Sequence, residues 1–279
     1  MGEVIERPAL PVVAEEQAVE ASDRSRRLSN SWVRRLRRLA AVILPFFLWD
    51  WTAALVKSRL LPGPAQVFEA LLEGLTSGSI WFHAQLTAQR GLLGLAIAVV
   101  FGVIFGVLLA RVRWMDAAIE PLVAATYAVP KLALFPLLVL LLGFGGASKV
   151  AMVAIECAYP IILTTYAGVQ AIDKHYFWLA RNVEAGVVPR FLLMIRATTP
   201  AFMASLRMAA PIMLVIIVVT EMIGESRGLG YLLRQAGTEF NPSGALAVIL
   251  LLAIIGFVND RLILFASRRA NRWAREVTL

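Results

Sequence analysis

Three ionisable side chains, Lys131, Glu156 and Glu221, lie within apolar runs that are long enough to cross a lipid bilayer. An ionisable group at membrane depth is energetically costly and often belongs to a polar path or an ion pair. Lys131 could attract an anion, and the two glutamates could bind cations or line a path. Each of the three could instead form a structural contact, and Lys131 could extend towards the headgroups. We predict that all three lie along a polar path through the membrane.

The composition is that of a membrane protein. The 279 residues are 59% hydrophobic and 16% charged, and the mean hydropathy is +0.73. Soluble domains are typically about 45–50% apolar and about 25% charged. Six runs approach the roughly 20 apolar residues that a span requires, and lipid forces them to be helical. These runs cover about 39–56, 91–110, 121–143, 150–170, 200–222 and 244–265. The predicted fold is therefore all-α, a polytopic membrane protein with six transmembrane helices.

Basic residues are concentrated on one side of these six runs. One side carries Arg24, Arg26, Arg27, Arg34, Arg35, Arg37 and Arg38, then Arg111 and Arg113, then Lys174, Arg181, Arg190 and Arg196, and finally Arg268, Arg269, Arg272 and Arg275. Because Lys and Arg favour the cytoplasmic side, we predict that both termini are cytoplasmic. The net charge of +8 is then explained by topology and anionic lipid headgroups, and no nucleic-acid partner is expected.

The chain divides into three parts by composition. Residues 1–38 are acidic and then basic, and we predict a disordered cytoplasmic tail. Residues 39–270 contain the six runs and form the transmembrane domain, and residues 271–279 form a cytoplasmic C-terminal tail. The longest cytoplasmic connection covers about 174–199.

The sequence contains no clear pattern for a metal site, a nucleotide-binding site or a catalytic centre. The single cysteine, Cys157, lies in an apolar run, and His83 and His175 are too far apart in sequence to suggest a metal site. The stretch "GFGGASK" at 143–149 lacks the glycine that precedes lysine in a phosphate loop. We therefore predict that the chain is not an enzyme and binds no cofactor itself.

Small residues recur every fourth position in the second run. They are Gly94, Ala98, Gly102, Gly106 and Ala110. This spacing puts them on one helix face, where a second backbone can approach closely. The face could serve ordinary packing within the chain, or a seam along which spans slide or two copies meet.

The cytoplasmic connection is too polar for a span and too apolar for a simple tether. The stretch "FWLARNVEAG" predicts a short helix, and "VVPRFLLMI" predicts the start of a second helix with Pro189 near its beginning. Gly186 separates the two. Exposed aromatic and leucine side chains on such a bend require either a protein groove or the membrane surface to cover them.

Three stretches together resemble the membrane subunit of bacterial ATP-binding-cassette importers of the type I architecture, in particular the permeases for nitrate, sulfonates and taurine. They are "VPKLALFPLLVLLLGFG" at 129–145, "PAFMASLRMA" from Pro200, and "VVTEMIGESRGLGYLL" at 218–233. The resemblance covers about residues 40–270 and adds Met222, beside Glu221, to the path candidates.

In this family the long cytoplasmic connection is a coupling helix that docks in a groove of the ATPase. The corresponding residues here are Trp178, Ala180, Arg181, Glu184, Ala185, Gly186, Val187 and Pro189. The loop departs from the family pattern, since Trp178 and Leu179 stand where the family has Glu-Ala, and Arg196 replaces its first proline.

The resemblance also implies partners and a mechanism. It implies a homodimer in the bacterial inner membrane that imports a small anionic solute by alternating access. Two ATPase copies would bind the ATP and Mg, and a solute-binding protein would deliver the solute. The residues alone are also consistent with a second hypothesis. In it the chain is a stand-alone channel or secondary carrier, and the cytoplasmic bend lies on the lipid surface.

Overall fold

A computed structural model describes most of the chain. The described residues are 37, 40–41, 43–56, 60–112, 130–182, 184 and 186–272. Both predicted terminal tails lie outside them, apart from residues 37 and 271–272, and remain predictions. Nine α-helices occur in the described residues. They are α1 (Ile43–Val56), α2 (Pro64–Thr76), α3 (Ser79–Arg111), α4 (Phe135–Leu142), α5 (Gly146–Gln170), α6 (Lys174–Asn182), α7 (Val187–Met222), α8 (Leu229–Thr238) and α9 (Pro242–Ala270). A short 3-10 helix, Lys131–Leu134, leads into α4.

The chain separates into two compact units, Met1–Pro64 and Ala65–Leu279. In the first unit, the indole nitrogen of Trp49 donates to the carbonyl of Pro62 at 3.0 Å. This bond ties the chain that follows α1 back to the helix. The second unit contains the helices that the site analysis concerns.

Four helices are long and apolar enough to cross a membrane. They are α3, Met194–Met222 of α7, α5 and α9. They correspond to the predicted second, fifth, fourth and sixth spans. The helices at the first and third predicted spans, Ile43–Val56 and Lys131–Leu142, are shorter. The described residues include no strand, so the all-α prediction is confirmed, while the count of six spans stays a prediction.

Two spans begin well before their apolar runs. The second predicted span started at residue 91, whereas α3 starts at Ser79. The fifth was predicted from residue 200, whereas α7 is one continuous helix of 36 residues from Val187. At 1.5 Å per residue α7 is roughly 54 Å long, which exceeds a hydrocarbon core of about 30 Å. Part of α7 therefore extends beyond the membrane.

The small-residue face of α3 packs against α5. A Cβ atom at Gly94 would meet Val153, one at Gly102 would meet Ile161, and one at Gly106 would meet Thr165. The sequence offset between partners is the same in all three pairs, so α3 and α5 run parallel. The small-residue face therefore serves close packing within the chain, which was the first of the two interpretations of its spacing.

The helix α7 runs antiparallel to both α3 and α5. Gly91 of α3 approaches Met213, and Arg111 at the other end of α3 donates to the sulfur of Met194. Against α5, Gly168 approaches Ala201, and the Cys157 thiol donates to the carbonyl of Ala209. A core cluster of buried side chains fills the space among the three helices; it includes Leu95, Phe135, Met152, Ile161 and Ile217.

Candidate functional site

Two of the predicted path residues form one ion pair. Lys131 begins the 3-10 helix after Pro130, and Glu156 lies in α5. The Lys131 Nζ atom lies 3.5 Å from Oε2 of Glu156 and 4.4 Å from the centre of the Tyr159 ring. The side chains of Lys131 and Glu156 are 21% and 14% exposed. The positive charge of Lys131 is therefore balanced by a carboxylate and an aromatic face.

The third predicted path residue, Glu221, lies in a separate buried cluster. Its Oε2 atom accepts from the hydroxyl of Thr87 at 2.7 Å and from the backbone N–H of Gly230 at 3.2 Å. Its Oε1 atom lies 3.1 Å from Nη1 of Arg90. Glu221 has no exposed surface, and Met222 beside it is half-buried and ends α7. A buried carboxylate requires this degree of pairing.

A second ion pair extends this cluster. Oε2 of Glu225, in the loop after α7, lies 2.8 Å from Nζ of Lys149 and 3.3 Å from Nη2 of Arg90. Lys149 is fully buried, and its Nζ atom also donates to the carbonyls of Phe144 and Gly145. Two cations and two carboxylates thus alternate across α3, α5 and the end of α7. We call Arg90, Lys149, Glu221 and Glu225 the four-charge network.

The four-charge network fixes the protonation of its most exposed acid. Burial alone would raise the pKa of Glu225. The hydrogen bond from Lys149, the N–H of Ser226 and the charges of Lys149 and Arg90 outweigh burial. The pKa of Glu225 therefore lies below its ordinary value, and the carboxylate is ionised at neutral pH.

The loop between α7 and α8 and the first turn of α8 have the residues that this cluster needs. Gly228 adopts a φ of 117°, a conformation that favours glycine, and its N–H donates to Nδ1 of His83 at 2.8 Å. A Cβ atom on Gly230 would overlap the carbonyl oxygen of Val218. The N–H of Leu229 donates to the hydroxyl of Thr87. The two glycines allow the backbone at the start of α8 to reach the buried carboxylate.

The predicted coupling residues lie on the other end of the bundle, near Arg111. Trp178, Ala180 and Arg181 belong to α6. Trp178 is 68% exposed, and Tyr176 and Leu179 beside it are also exposed. The helix α6 therefore presents an apolar surface that the described residues do not cover.

The break between α6 and α7 falls where the sequence predicts it. Glu184 adopts a φ of 48°, Gly186 precedes α7 in an extended conformation, and Val187 and Pro189 lie in the first turn of α7. Ala185 lies outside the described residues. The predicted arrangement of helix, break and helix is present, and the docking role of these residues remains a prediction.

Comparisons with known proteins identify the family. Residues 98–272 match the family model described as "Binding-protein-dependent transport system inner membrane component". The chain belongs to this family. It is 30% identical over 213 residues to the formylaminopyrimidine transport permease protein of Halalkalibacterium halodurans, covering 76% of this chain and 85% of that protein.

Two other permeases show a similar likeness. The taurine transport system permease protein of Escherichia coli is 28% identical, covering 91% of this chain and 96% of that protein. The nitrate import permease protein of Synechococcus elongatus is 27% identical, covering 84% and 90%. A solved structure of the methionine ABC transporter MetNI in inward-facing conformations aligns at a TM-score of 0.50 and 18% identity, over 76% of this chain and 98% of that chain. This likeness supports the permease fold.

As a member of this family, the chain is a multi-pass membrane permease component, and such components work with an ATPase and a binding protein. The predicted coupling residues and the Lys131–Glu156 pair lie within the matched range. Thr87 and Arg90 precede it, although they contact Glu221 within it. Sequence reasoning did not select Arg90, Lys149 or Glu225 as site residues. The available signal was that all three are charged residues placed beside apolar runs.

Proposed function

We propose that the chain is the transmembrane subunit of an ATP-driven importer that receives a small anionic solute from a soluble binding protein. Membership of the permease family carries this proposal. The names of the relatives mention taurine, nitrate, aliphatic sulfonates and formylaminopyrimidine. These names support a small polar solute, and the first three support a solute with an oxyanion group.

Two copies of the chain would form one path by alternating access. Each copy would dock one ATPase subunit through α6 and the start of α7, and the ATPase would bind ATP and Mg. The exposed Trp178 and Leu179 supply the apolar surface for this contact. Because α7 is continuous from Val187 to Met222, a displacement at its first turn is transmitted along the helix to the outer end of the path.

Orientation follows from the same arrangement. The end of the bundle with Arg111 and the α6–α7 break would face the cytoplasm, as would both termini. The four-charge network would face outward, on the side that the binding protein approaches. Lys131 and Glu156 would line the path as a charge-balanced pair, and Glu221 and Met222 would lie near its outer mouth.

Affinity purification of the tagged chain in mild detergent tests this function. We expect an ATP-binding-cassette ATPase to copurify in equal amount and to hydrolyse ATP in a vanadate-sensitive manner. A chain that purifies alone and supports no ATP hydrolysis would instead indicate a stand-alone channel or secondary carrier.

A further inference from the structure

An apolar crevice lies between α3 and α7, at the end of the bundle that carries Arg111. Its volume is about 580 Å³, within the range of about 300–1,000 Å³ that is usual for ligand pockets. The residues that line it include Val100, Ile104 and Leu108 of α3 and Ile195, Thr198 and Phe202 of α7. Several of these apolar side chains, including Ile104 and Ile195, are exposed. The described residues therefore leave this space uncovered, and we call it the α3–α7 crevice.

The hydroxyl groups along the α3–α7 crevice are not available to a polar occupant. The Thr198 hydroxyl donates to the carbonyl of Met194, and the Thr199 hydroxyl donates to the carbonyl of Ile195, both at 2.9 Å. These bonds lie within α7 and use the only hydrogen that each hydroxyl can donate. Thr165 of α5, the other hydroxyl residue of the lining, is buried. The crevice therefore suits a hydrocarbon chain better than a polar solute.

The α3–α7 crevice has the length of one lipid leaflet. Along α3 it extends from Val99 to Leu108, which is about 14 Å at 1.5 Å per residue. Half of a hydrocarbon core about 30 Å thick is about 15 Å. The apolar run of α3, residues 91–110, ends at Arg111, so the crevice lies in the half of the membrane next to that residue. An acyl chain of that leaflet therefore fits along its full length.

Arg111 places a positive charge at the mouth of the α3–α7 crevice. It follows Val107 by four residues and Leu108 by three, so it continues the helix face that lines the crevice. Its Nη2 atom donates to the sulfur of Met194, another lining residue, at 3.1 Å. This contact with a neutral thioether holds the guanidinium between α3 and α7, while the side chain remains exposed. Arginine binds phosphate groups through paired N–H groups, and basic pockets between spans bind anionic lipid headgroups.

We propose that the α3–α7 crevice binds an anionic phospholipid, with one acyl chain between the two helices and the phosphate group against Arg111. A phospholipid supplies in one molecule both the hydrocarbon that fits the crevice and the negative charge that complements Arg111. No described residue of Lys131–Leu142, which belongs to the third predicted span, lines the crevice. The inference goes beyond the proposed function, because it requires only that α3 and α7 cross a membrane.

Site-specific photo-crosslinking of the full chain in lipid nanodiscs tests the proposal. The photoreactive amino acid p-benzoylphenylalanine replaces Ile104, an exposed lining residue. The nanodiscs contain equimolar phosphatidylglycerol, which is anionic, and phosphatidylcholine, which is zwitterionic, with the same acyl chains. Leu92, which is exposed on the same helix but does not line the crevice, is the matched control position. Intact mass spectrometry after irradiation identifies the adducts and measures their amounts.

We expect the probe at position 104 to capture phosphatidylglycerol roughly fivefold more often than phosphatidylcholine, which corresponds to about 1 kcal/mol for one arginine near a membrane surface. The probe at position 92 should capture the two lipids in similar amounts. Arg111→Gln should remove the preference at position 104, whereas Arg111→Lys, which keeps the charge, should retain most of it. Arg268→Gln, which removes an exposed arginine from the last turn of α9, should leave the preference unchanged.

Three results would overturn the proposal. The first is a covalent dimer or a crosslink within the chain in place of a lipid adduct at position 104, because a second copy or another segment would then fill the crevice. The second is equal capture of the two lipids at position 104 when Arg111 is intact. The third is a preference that Arg111→Gln lowers no more than Arg268→Gln does. Gel filtration shows whether each variant is folded, and the first two results require no Arg111 variant.

Discussion

The Nζ atom of Lys149, at the start of α5, lies 2.8 Å from Oε2 of Glu225, in the loop that follows α7. Arg90 of α3 contacts the same oxygen at 3.3 Å. One carboxylate in a loop thus joins two spans through their cations. The loop is fixed in turn by the bond from Gly228 to His83. The end of the bundle that carries the four-charge network is therefore held together by charge, whereas its centre is held by apolar packing.

The Lys149–Glu225 contact predicts a pH dependence of stability. The pKa of Glu225 is lower in the folded chain than its ordinary value of 4.5. Its ionised form therefore stabilises the fold fully above about pH 4.5, and this stabilisation is lost as the pH falls through the lower, folded-state pKa. We expect the melting temperature of the detergent-solubilised chain to fall as the pH is lowered from 5 into the acid range. The same change of pH should lower the melting temperature of the Glu225→Gln variant less.

The control for this prediction is Glu239→Gln, because Glu239 is exposed and, among the described residues, its carboxylate has a hydrogen bond only from the nearby Gln235. That variant should keep the full pH dependence. If Glu225→Gln and the parent chain lose stability in parallel across this range, Glu225 does not carry the effect.

The four-charge network predicts that replacing its buried acid, Glu221, causes a large loss of stability. Glu221→Ala removes one of the two carboxylate partners of Arg90 and leaves the Thr87 hydroxyl and the Gly230 N–H without their acceptor. Breaking a buried pair in this way costs about 3–5 kcal/mol. Denaturant titration of the purified chain measures it, with Glu239→Ala as the exposed control. A cost for Glu221→Ala within roughly 0.5 kcal/mol of that control, the usual range for surface changes, would contradict the prediction.

The network also explains why the sequence predicted α3 incompletely. Hydropathy marks the second run from residue 91, because His83, Thr87 and Arg90 make the preceding turns polar. In the structure these side chains face Glu221 and the loop after α7, more than 130 residues further along the chain. A hydropathy average over neighbouring residues counts these side chains as polar, because it does not include the distant partners that balance them.

The sequence likewise predicted individual residues of the candidate sites but not how those residues are paired. Polarity within apolar runs selected Lys131, Glu156 and Glu221 individually. It could not show that the first two form one pair while the third belongs to another cluster, since that depends on how α5 and α7 pack. Gly186 and Pro189 located the α6–α7 break correctly, because helix breaks and starts are encoded by local backbone preferences.

The exposed surface of α6 predicts a specific loss of the ATPase. Trp178→Glu places a charge on the apolar contact surface, and we expect the ATPase to be lost from the purified complex while the chain itself remains folded. Trp81→Glu is the matched control, because Trp81 is 61% exposed at the far end of α3. The amount of copurified ATPase and the vanadate-sensitive ATP hydrolysis are the measurements. Equal recovery of ATPase with both variants would exclude α6 as the docking surface.

The Lys131–Glu156 pair predicts an asymmetric effect on uptake. Lys131→Gln leaves Glu156 as an uncompensated negative charge, which repels an anion from the path. We expect uptake of nitrate or taurine by the reconstituted complex to fall roughly tenfold, equivalent to about 1.4 kcal/mol in the barrier. Glu156→Gln leaves a positive charge and should retain uptake. The double variant restores neutrality and should recover most of the uptake, if Lys131 acts by balancing charge.

Recovery in the double variant separates two roles of Lys131. If Lys131 itself contacts the solute, that contact is lost in both the single and the double variant. The uptake rate of both variants would then stay reduced. That result would assign a direct solute contact to Lys131. A stability cycle on the same variants provides the structural control, with a coupling energy of about 0.5–3 kcal/mol expected for a contacting pair. Uptake and stability that recover together would show that charge balance, rather than direct solute contact, explains the ion pair at this depth.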